Sequence, residues 1–313
     1  MSIQYPESFS VSSAVVEALE NNKPVVALES TVITHGLPYP QNLSIAQEME
    51  SEVTQRDVVP ATIAVLDGKV HVGLDADELE RLATEQDVHK ISSRDFASAI
   101  AKKRCGGTTV AGTMVAANNV GIKVFATGGI GGVHRQISKK VGQSSAGVSS
   151  DISADLPQLA NTPMIVVCAG AKAILNLPAT LEYLETFAIP VVGFGTNEFP
   201  AFYSRSSGLS INARADSAVD IIKIAKAHWD LGLQSAILVV NPLPEEEALA
   251  DEQIETAIEE AVREAEFNGI SGQAVTPYLL SMVSELTKGK SLKANLALLR
   301  YNARLAAQIA LEF

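Results

Sequence analysis

Residues 164–172 read Met164-Ile165-Val166-Val167-Cys168-Ala169-Gly170-Ala171-Lys172. The six apolar residues that open the run describe a strand buried on both faces, as in a parallel sheet covered by helices. A glycine and an alanine follow, and then a lone amine. Lysine is seldom buried without a partner. The carboxyl end of a core strand is where open α/β sheets bind ligands. A desolvated lysine there has a lowered pKa and attacks carbonyl-like carbon. A lysine that merely starts a loop, its head in solvent, fits the same stretch. The rest of the chain decides between the two.

Working outward, short apolar runs alternate with helical patterns. The runs 25–29, 62–66, 70–73, 123–127, 165–169, 191–193 and 237–240 read as strands. Asp67-Gly68 lies between two of them and signals a hairpin. Asp75 with Glu78 forms a capping-box pattern ahead of Leu79 and Leu82. Ala218, Ile221, Ile222, Ala225 and Trp229 repeat at helical spacing, and so do Leu292, Leu296, Leu299, Ala303 and Ala306. Residues 245–266 read as an acidic amphipathic helix with a solvated face. The alternation predicts an α/β fold with helices on both faces of a mostly parallel sheet. No linker rich in Pro, Gly or Ser divides residues 1–313, so one domain is expected.

Composition narrows the function. Hydrophobic residues are 47% and charged residues 19%, enough for a globular core. A net charge of -12 argues against nucleic-acid binding, which needs a basic surface. No apolar stretch reaches the roughly 18 residues of a membrane span. The first thirteen residues are polar and show no signal peptide. Two cysteines, Cys105 and Cys168, cannot form a disulfide framework. A reducing, cytoplasmic setting is expected.

Several short segments carry groups that do chemistry. Glu29 ends a buried run and is followed by the hydroxyls of Ser30 and Thr31, with His35-Gly36 downstream. Burial would raise its pKa and make it usable as a general acid near neutral pH. It could equally cap a helix or pair with a lysine. His89-Lys90-Ile91-Ser92-Ser93-Arg94-Asp95 offers cations and hydroxyls, with Ser92 or Ser93 as a helix cap; such a start suits a phosphate. Gly106-Gly107-Thr108-Thr109-Val110 opens another helix, and its small residues allow a ligand close to backbone donors. Thr127-Gly128-Gly129-Ile130-Gly131-Gly132-Val133-His134-Arg135 marks a tightly bent backbone with a titratable group and a fixed cation at its end. It fails the dinucleotide fingerprint, because His134 stands at the third glycine position. Asp151 and Asp155 would share one face of a helical turn and suit Mg²⁺ or Mn²⁺. The same pair reads as a cap followed by a surface acid. Asn295 borders the apolar face of the last helix, where a substrate amide could satisfy it.

Together these segments resemble the pseudouridine-5′-phosphate glycosidase family. The resemblance runs from about residue 24 to residue 310. It is carried by PVVALESTVITHGLPYPQN at 24–42, VPATIAVLDGKVHVGL at 59–74, KISSRD at 90–95, TTVAGTM at 108–114, GIKVFATGGIGGVHR at 121–135, DISADL at 151–156, VVCAGAK at 166–172 and SLKAN at 291–295. It implies a three-layer α/β/α fold with a central, mostly parallel mixed sheet. It implies reversible cleavage of the C1′–C5 bond of pseudouridine 5′-phosphate to uracil and ribose 5-phosphate. It also implies a bound divalent cation, typically Mn²⁺ with Mg²⁺ as an alternative, and a homotrimer.

Residue by residue, Lys172 matches the family's nucleophile and Glu29 its proton donor. Lys90, Val110 with the adjoining Thr109, and Ser153, Ala154 and Asp155 match substrate-binding positions. Asp151 matches the metal ligand, and His134 and Asn295 match residues lining the pocket. The segment between Arg135 and Asp151 is longer and richer in serine than is usual, which leaves open which of Asp151 and Asp155 touches the metal. Two other readings compete: a different Schiff-base enzyme such as a sugar-phosphate aldolase, and a nucleotide-binding module without chemistry.

Overall fold

A computed structural model describes residues 5–135, 151–270 and 275–313. The strands are β1 (Phe9–Val11), β2 (Val25–Leu28), β3 (Val59–Leu66), β4 (Lys69–Val72), β5 (His89–Ile91), β6 (Gly106–Thr108), β7 (Val124–Ala126), β8 (Ile165–Cys168), β9 (Val191–Phe194), β10 (Ala213–Ala215) and β11 (Ile237–Val240). The helices are α1 (Ser13–Glu20), α2 (Gln41–Thr54), α3 (Ala76–Thr84), α4 (Phe96–Ala101), α5 (Val110–Val120), α6 (Asp155–Ala160), α7 (Leu177–Thr186), α8 (Ala218–Asp230), α9 (Asp251–Phe267), α10 (Val275–Leu286) and α11 (Lys290–Leu311).

The strands follow the order β1-β4-β3-β2-β7-β8-β11-β9-β10, with β6 and then β5 added beside β3. From β3 through β2 to β10 every pairing is parallel. Among the strands of the described residues, only the β3–β4 and β3–β6 pairings are antiparallel. The sheet is therefore mixed and mostly parallel, as expected. Every residue of β2, β8 and β11 is buried, so helices must cover both faces. The three-layer α/β/α reading holds. On the helical side, α11 packs against α2, β2, β7 and β8, while α5 packs against β2, β3 and α6. Arg300 and Arg304 of α11 reach Glu48 and Glu52 of α2 at 2.8 and 2.7 Å.

Local rules fix several helix ends. Asp75 and Glu78 close the expected capping box at α3. The Ser217 side chain accepts from Asp220 N at α8, and Asn176 accepts from Ala179 N at α7, whose first turn carries Pro178. Three expectations are corrected. Residues 245–250 precede α9 instead of opening it; the N–H of Leu249 is drawn to the Tyr203 carbonyl at 2.9 Å, out of helical geometry. Ser92 and Ser93 do not cap α4, which begins after Asp95; the Asp95 carboxylate instead folds back onto Ser92 N at 3.0 Å. Gly106–Thr108 is a strand before it is a helix entrance, and Thr109 is the cap, accepting from Gly112 N at 3.2 Å.

Chain order places the site. β2 continues to β3 on one side, and β7 later joins β2 on the other. The connections diverge between β2 and β7, which opens a crevice beyond their carboxyl ends.

Candidate active site

Glu29 stands at that divergence, one residue beyond β2, and is only 7% exposed. Thr127, one residue beyond β7, donates its hydroxyl to the Glu29 carboxylate. Ser30 anchors the turn that follows: its hydroxyl donates to Ile63 O at 2.5 Å and accepts from Thr108 N at 2.9 Å. Gly107 lets this turn lie flat on β6, since a Cβ there would meet Thr34 Oγ1 at 2.4 Å and Ser30 O at 2.7 Å. Burial pushes the Glu29 carboxyl above the usual carboxylate range, against the opposing pull of Lys172 and of the Thr127 hydrogen bond.

Lys172 lies four residues beyond β8. Gly170 turns the chain with φ +87°, and the Lys172 N–H donates to Ile130 O at 3.1 Å. The turn then closes through Leu175 N to Lys172 O at 2.9 Å. The glycine-rich stretch after β7 runs alongside: Ile130 bridges Ala171 and His134 bridges Leu175. Lys172 is therefore held by backbone on both sides.

The segment 151–155 returns to the same place. His134 N donates to Asp151 O at 2.9 Å and Ser153 N donates to Gly132 O at 3.0 Å. This pairing is extended, so Asp151 and Asp155 do not share a helical face as the spacing suggested. Asp151 is exposed and Asp155 is 6% exposed. The Asp155 carboxylate accepts from Ala111 N at 2.9 Å and from Gly131 N at 2.8 Å. Gly131 permits that approach, because a Cβ would stand 2.8 Å from Asp155 Oδ2. Asp155 thus ties the start of α5 to the glycine-rich turn. The expected conformation of residues 136–150 lies outside the described residues.

Two adjoining spaces result. A cavity of about 600 Å³ is walled by Glu29, Lys90, Thr109, Val110, His134 and Lys172. Asp151, Ser153, Ala154 and Asp155 complete it, with Arg94 and Ser92 at its edge. A smaller chamber of about 50 Å³ is lined by His35, Phe202, Leu280, Asn295 and Leu299. Glu29, Thr31, Lys90, Lys172 and Thr276 belong to both. The structure thus brings together every site residue expected from sequence, with Asn295 in the smaller chamber beside Glu29, Lys90 and Lys172. Arg135 lies off both walls. Sequence reasoning missed Phe202, Thr276 and Leu280, apolar or neutral residues of an ordinary kind on distant elements. The Thr31 hydroxyl, noted in the sequence beside Glu29, is buried with no partner among the described residues.

The electrostatics follow from crowding. Burial, and then the charge of Lys172, lowers the Lys90 pKa. Burial also lowers His134, with Asp151 pulling the other way. His35, half-buried and with Nδ1 2.6 Å from the Thr34 hydroxyl, is lowered by burial and by Lys90 and His89.

Among the described residues no three His, Cys, Asp or Glu side chains converge to cage a metal. Asp155 already holds two N–H groups. Of the two aspartates, exposed Asp151 is the one whose carboxylate could carry a divalent cation, and among the described residues it would do so without a second protein carboxylate or imidazole cage. No helix among the described residues is long and apolar enough to cross a membrane.

Fold and site define a doubly wound α/β enzyme with a lysine and a buried glutamate facing one cleft. The indigoidine synthase A like protein family matches residues 14–312. The chain is 54% identical over 302 residues to a pseudouridine-5′-phosphate glycosidase of Caldanaerobacter subterraneus subsp. tengcongensis, covering 96% of this chain and 95% of that one. It is 52% identical to the protein of that name from Clostridium botulinum, covering 96% of each. The structure of the prealnumycin C-glycosynthase AlnA in complex with ribulose 5-phosphate superposes with a TM-score of 0.87 at 38% identity, over 98% of this chain and 97% of that one. An indigoidine synthase A-like protein of Thermotoga maritima gives 0.86 at 35% identity, over 99% and 98%. The chain belongs to the pseudouridine-5′-phosphate glycosidase family, within the indigoidine synthase A-like proteins.

Proposed function

We propose that this enzyme reversibly cleaves the C1′–C5 bond of pseudouridine 5′-phosphate, giving uracil and ribose 5-phosphate, through a covalent Lys172–ribose intermediate. The observation that carries the reading is the two-part cleft. Lys172 and Glu29 stand on the wall common to a large polar cavity and a small, mostly apolar chamber. A ribose phosphate suits the first, with its base turned toward the second, and in that pose C1′ would lie beside Lys172.

Uracil C5 is a poor leaving group, so the two-carboxylate route of O-glycosidases does not suffice. Glu29, whose carboxyl burial pushes toward the protonated form, gives its proton to the ribose ring oxygen as the C1′–O bond breaks and π electrons of the uracil move onto C1′. The Lys172 amine adds to C1′. The proton that the amine sheds on adding is taken up at uracil C5, and the C1′–C5 electrons return to the pyrimidine as C1′ becomes the Lys172 iminium. Water hydrolyses the iminium, releasing ribose 5-phosphate and the amine. Because the broken bond is carbon–carbon, lyase describes the step better than hydrolase. Lys90, the Val110 backbone with Thr109, and Ser153, Ala154 and Asp155 position the phosphate and sugar. His134 lines the same wall, and Asn295 meets the base amide. Asp151 would hold Mn²⁺, or Mg²⁺, which would add positive charge beside the phosphate oxygens. The same reading takes the enzyme as a cytoplasmic homotrimer.

The test is intact-protein mass spectrometry with pseudouridine 5′-phosphate, Mn²⁺ and borohydride, with uracil followed in the same tube. A reduced ribose-phosphate adduct on Lys172 with uracil release is expected. Lys172→Ala should lose both, with turnover down on the order of 10³-fold or more. Adduct or full turnover in that variant overturns the assignment. Uracil release also separates this reaction from that of an aldolase using the same lysine.

A further inference from the structure

Arg135 reads in the sequence as a fixed cation at the end of the glycine-rich run, and it lies off both walls of the cleft. Its Nε donates to Leu175 O at 3.2 Å and its Nη2 to Ala173 O at 3.1 Å. The same guanidinium forms a two-pronged pair with Glu255 of α9, Nη2 lying 3.1 Å from Oε2 and Nη1 meeting Oε1. Ala173 and Leu175 both belong to the turn that Leu175 N closes on Lys172 O. One planar group therefore grips the short loop that carries Lys172 and joins it to α9. The helix α9 packs on α10, and Thr276 in the first turn of α10 lines both parts of the cleft.

We propose that Arg135 is a positioning residue for the reaction: its guanidinium, held by Glu255, fixes the Lys172 loop so that the amine meets C1′ at bonding distance and angle. This rests on the reading of Lys172 as the nucleophile. The ion pair itself is no explanation, since the Glu255 side chain is 49% exposed and pairs of that kind contribute little stability. The two carbonyl bonds matter instead. They come from a rigid fork whose donors diverge in one plane, which a lysine ammonium cannot reproduce. A nucleophile misplaced by a fraction of an ångström loses rate without losing substrate.

The experiment is the borohydride trapping of the Lys172 adduct in wild type, Arg135→Lys, Arg135→Ala and Glu255→Gln, followed in time, with kcat, KM and Tm on the same samples. Arg135→Lys and Arg135→Ala should trap to the wild-type endpoint but about tenfold or more slowly, with kcat falling in step and KM nearly unchanged. Glu255→Gln should show the same pattern, weaker. Millimolar guanidinium should restore part of the rate to Arg135→Ala and none to Arg135→Lys, whose side chain fills the space. A purely structural role would lower Tm and the trapping endpoint while leaving the rate per competent site at the wild-type value, and that result overturns the proposal. Wild-type trapping rates in both Arg135 variants overturn it as well. A wild-type enzyme that releases uracil without a Lys172 adduct overturns the nucleophile reading and this inference together.

Discussion

The Thr127 hydroxyl donates to the Glu29 carboxylate from the end of the neighbouring parallel strand. The bond joins β2 and β7 across the place where the chain's connections diverge. It favours the charged form of a carboxyl that burial drives toward the neutral form.

Thr127→Val removes that donor and keeps the shape. The Glu29 pKa then rises further, because the opposing hydrogen bond is gone. An acid works only while protonated, so the alkaline limb of kcat/KM should move to higher pH. The lost alignment should cost on the order of tenfold in kcat. A pH–rate profile checks both, and an alkaline limb that stays in place would separate Thr127 from the acid.

Glu29→Gln should make the protein more stable at neutral pH while it removes the acid and lowers kcat by roughly 10²-fold or more. The Glu29 pKa is raised in the folded state, so its contribution is intact below the unfolded value of about 4.3 and is lost as pH rises through the folded value. The Tm gap between variant and wild type should therefore be near zero at acid pH and open on the way to neutral. Thermal melts across that range decide it; a gap independent of pH would show that Glu29 is not the titrating group.

Asp151 and Asp155 should separate cleanly. Asp151→Ala should raise the Mn²⁺ concentration needed for half-maximal activity and leave Tm nearly unchanged. Asp155→Asn puts an amide where two N–H groups converge, leaving one of them without an acceptor. It should lower stability by roughly 1.5–3 kcal/mol and leave the metal requirement in place. Metal titration and melts on both variants test this, and a shifted titration for Asp155→Asn alone would move the ligand.

The sequence made the centre of the sheet legible, because β2, β8 and β11 are buried on both faces and show as unbroken apolar runs. It hid β1, β5, β6 and β10, which are three residues each and too short to show a period. Glu29 and Lys172 could be singled out because one stands directly after such a run and the other a short turn beyond another. The anchoring of Asp155 was not, since its partners Ala111 and Gly131 lie 44 and 24 residues away. The small chamber was equally hidden: Phe202, Leu280 and Leu299 look like core residues until three elements bring them together. Arg135 was visible as a cation, but its direction depends on the bridge between His134 and Leu175, which no local pattern specifies.

His35 and His134 should set the acid side of stability. Burial lowers both, aided by the nearby lysines, so both are neutral at pH 7. In the unfolded chain an imidazole takes up its proton near pH 6.5, by the usual value. As pH falls through that region the unfolded state binds protons first, and stability drops until the folded-state values are passed. His35→Gln removes one such group while offering an amide to the Thr34 hydroxyl. The fall in Tm between about pH 7 and pH 5 should become shallower, and shallower again with His134→Gln added. Melts of the single and double variants across that range check it; a wild-type slope in the double variant would place the acid sensitivity on other groups.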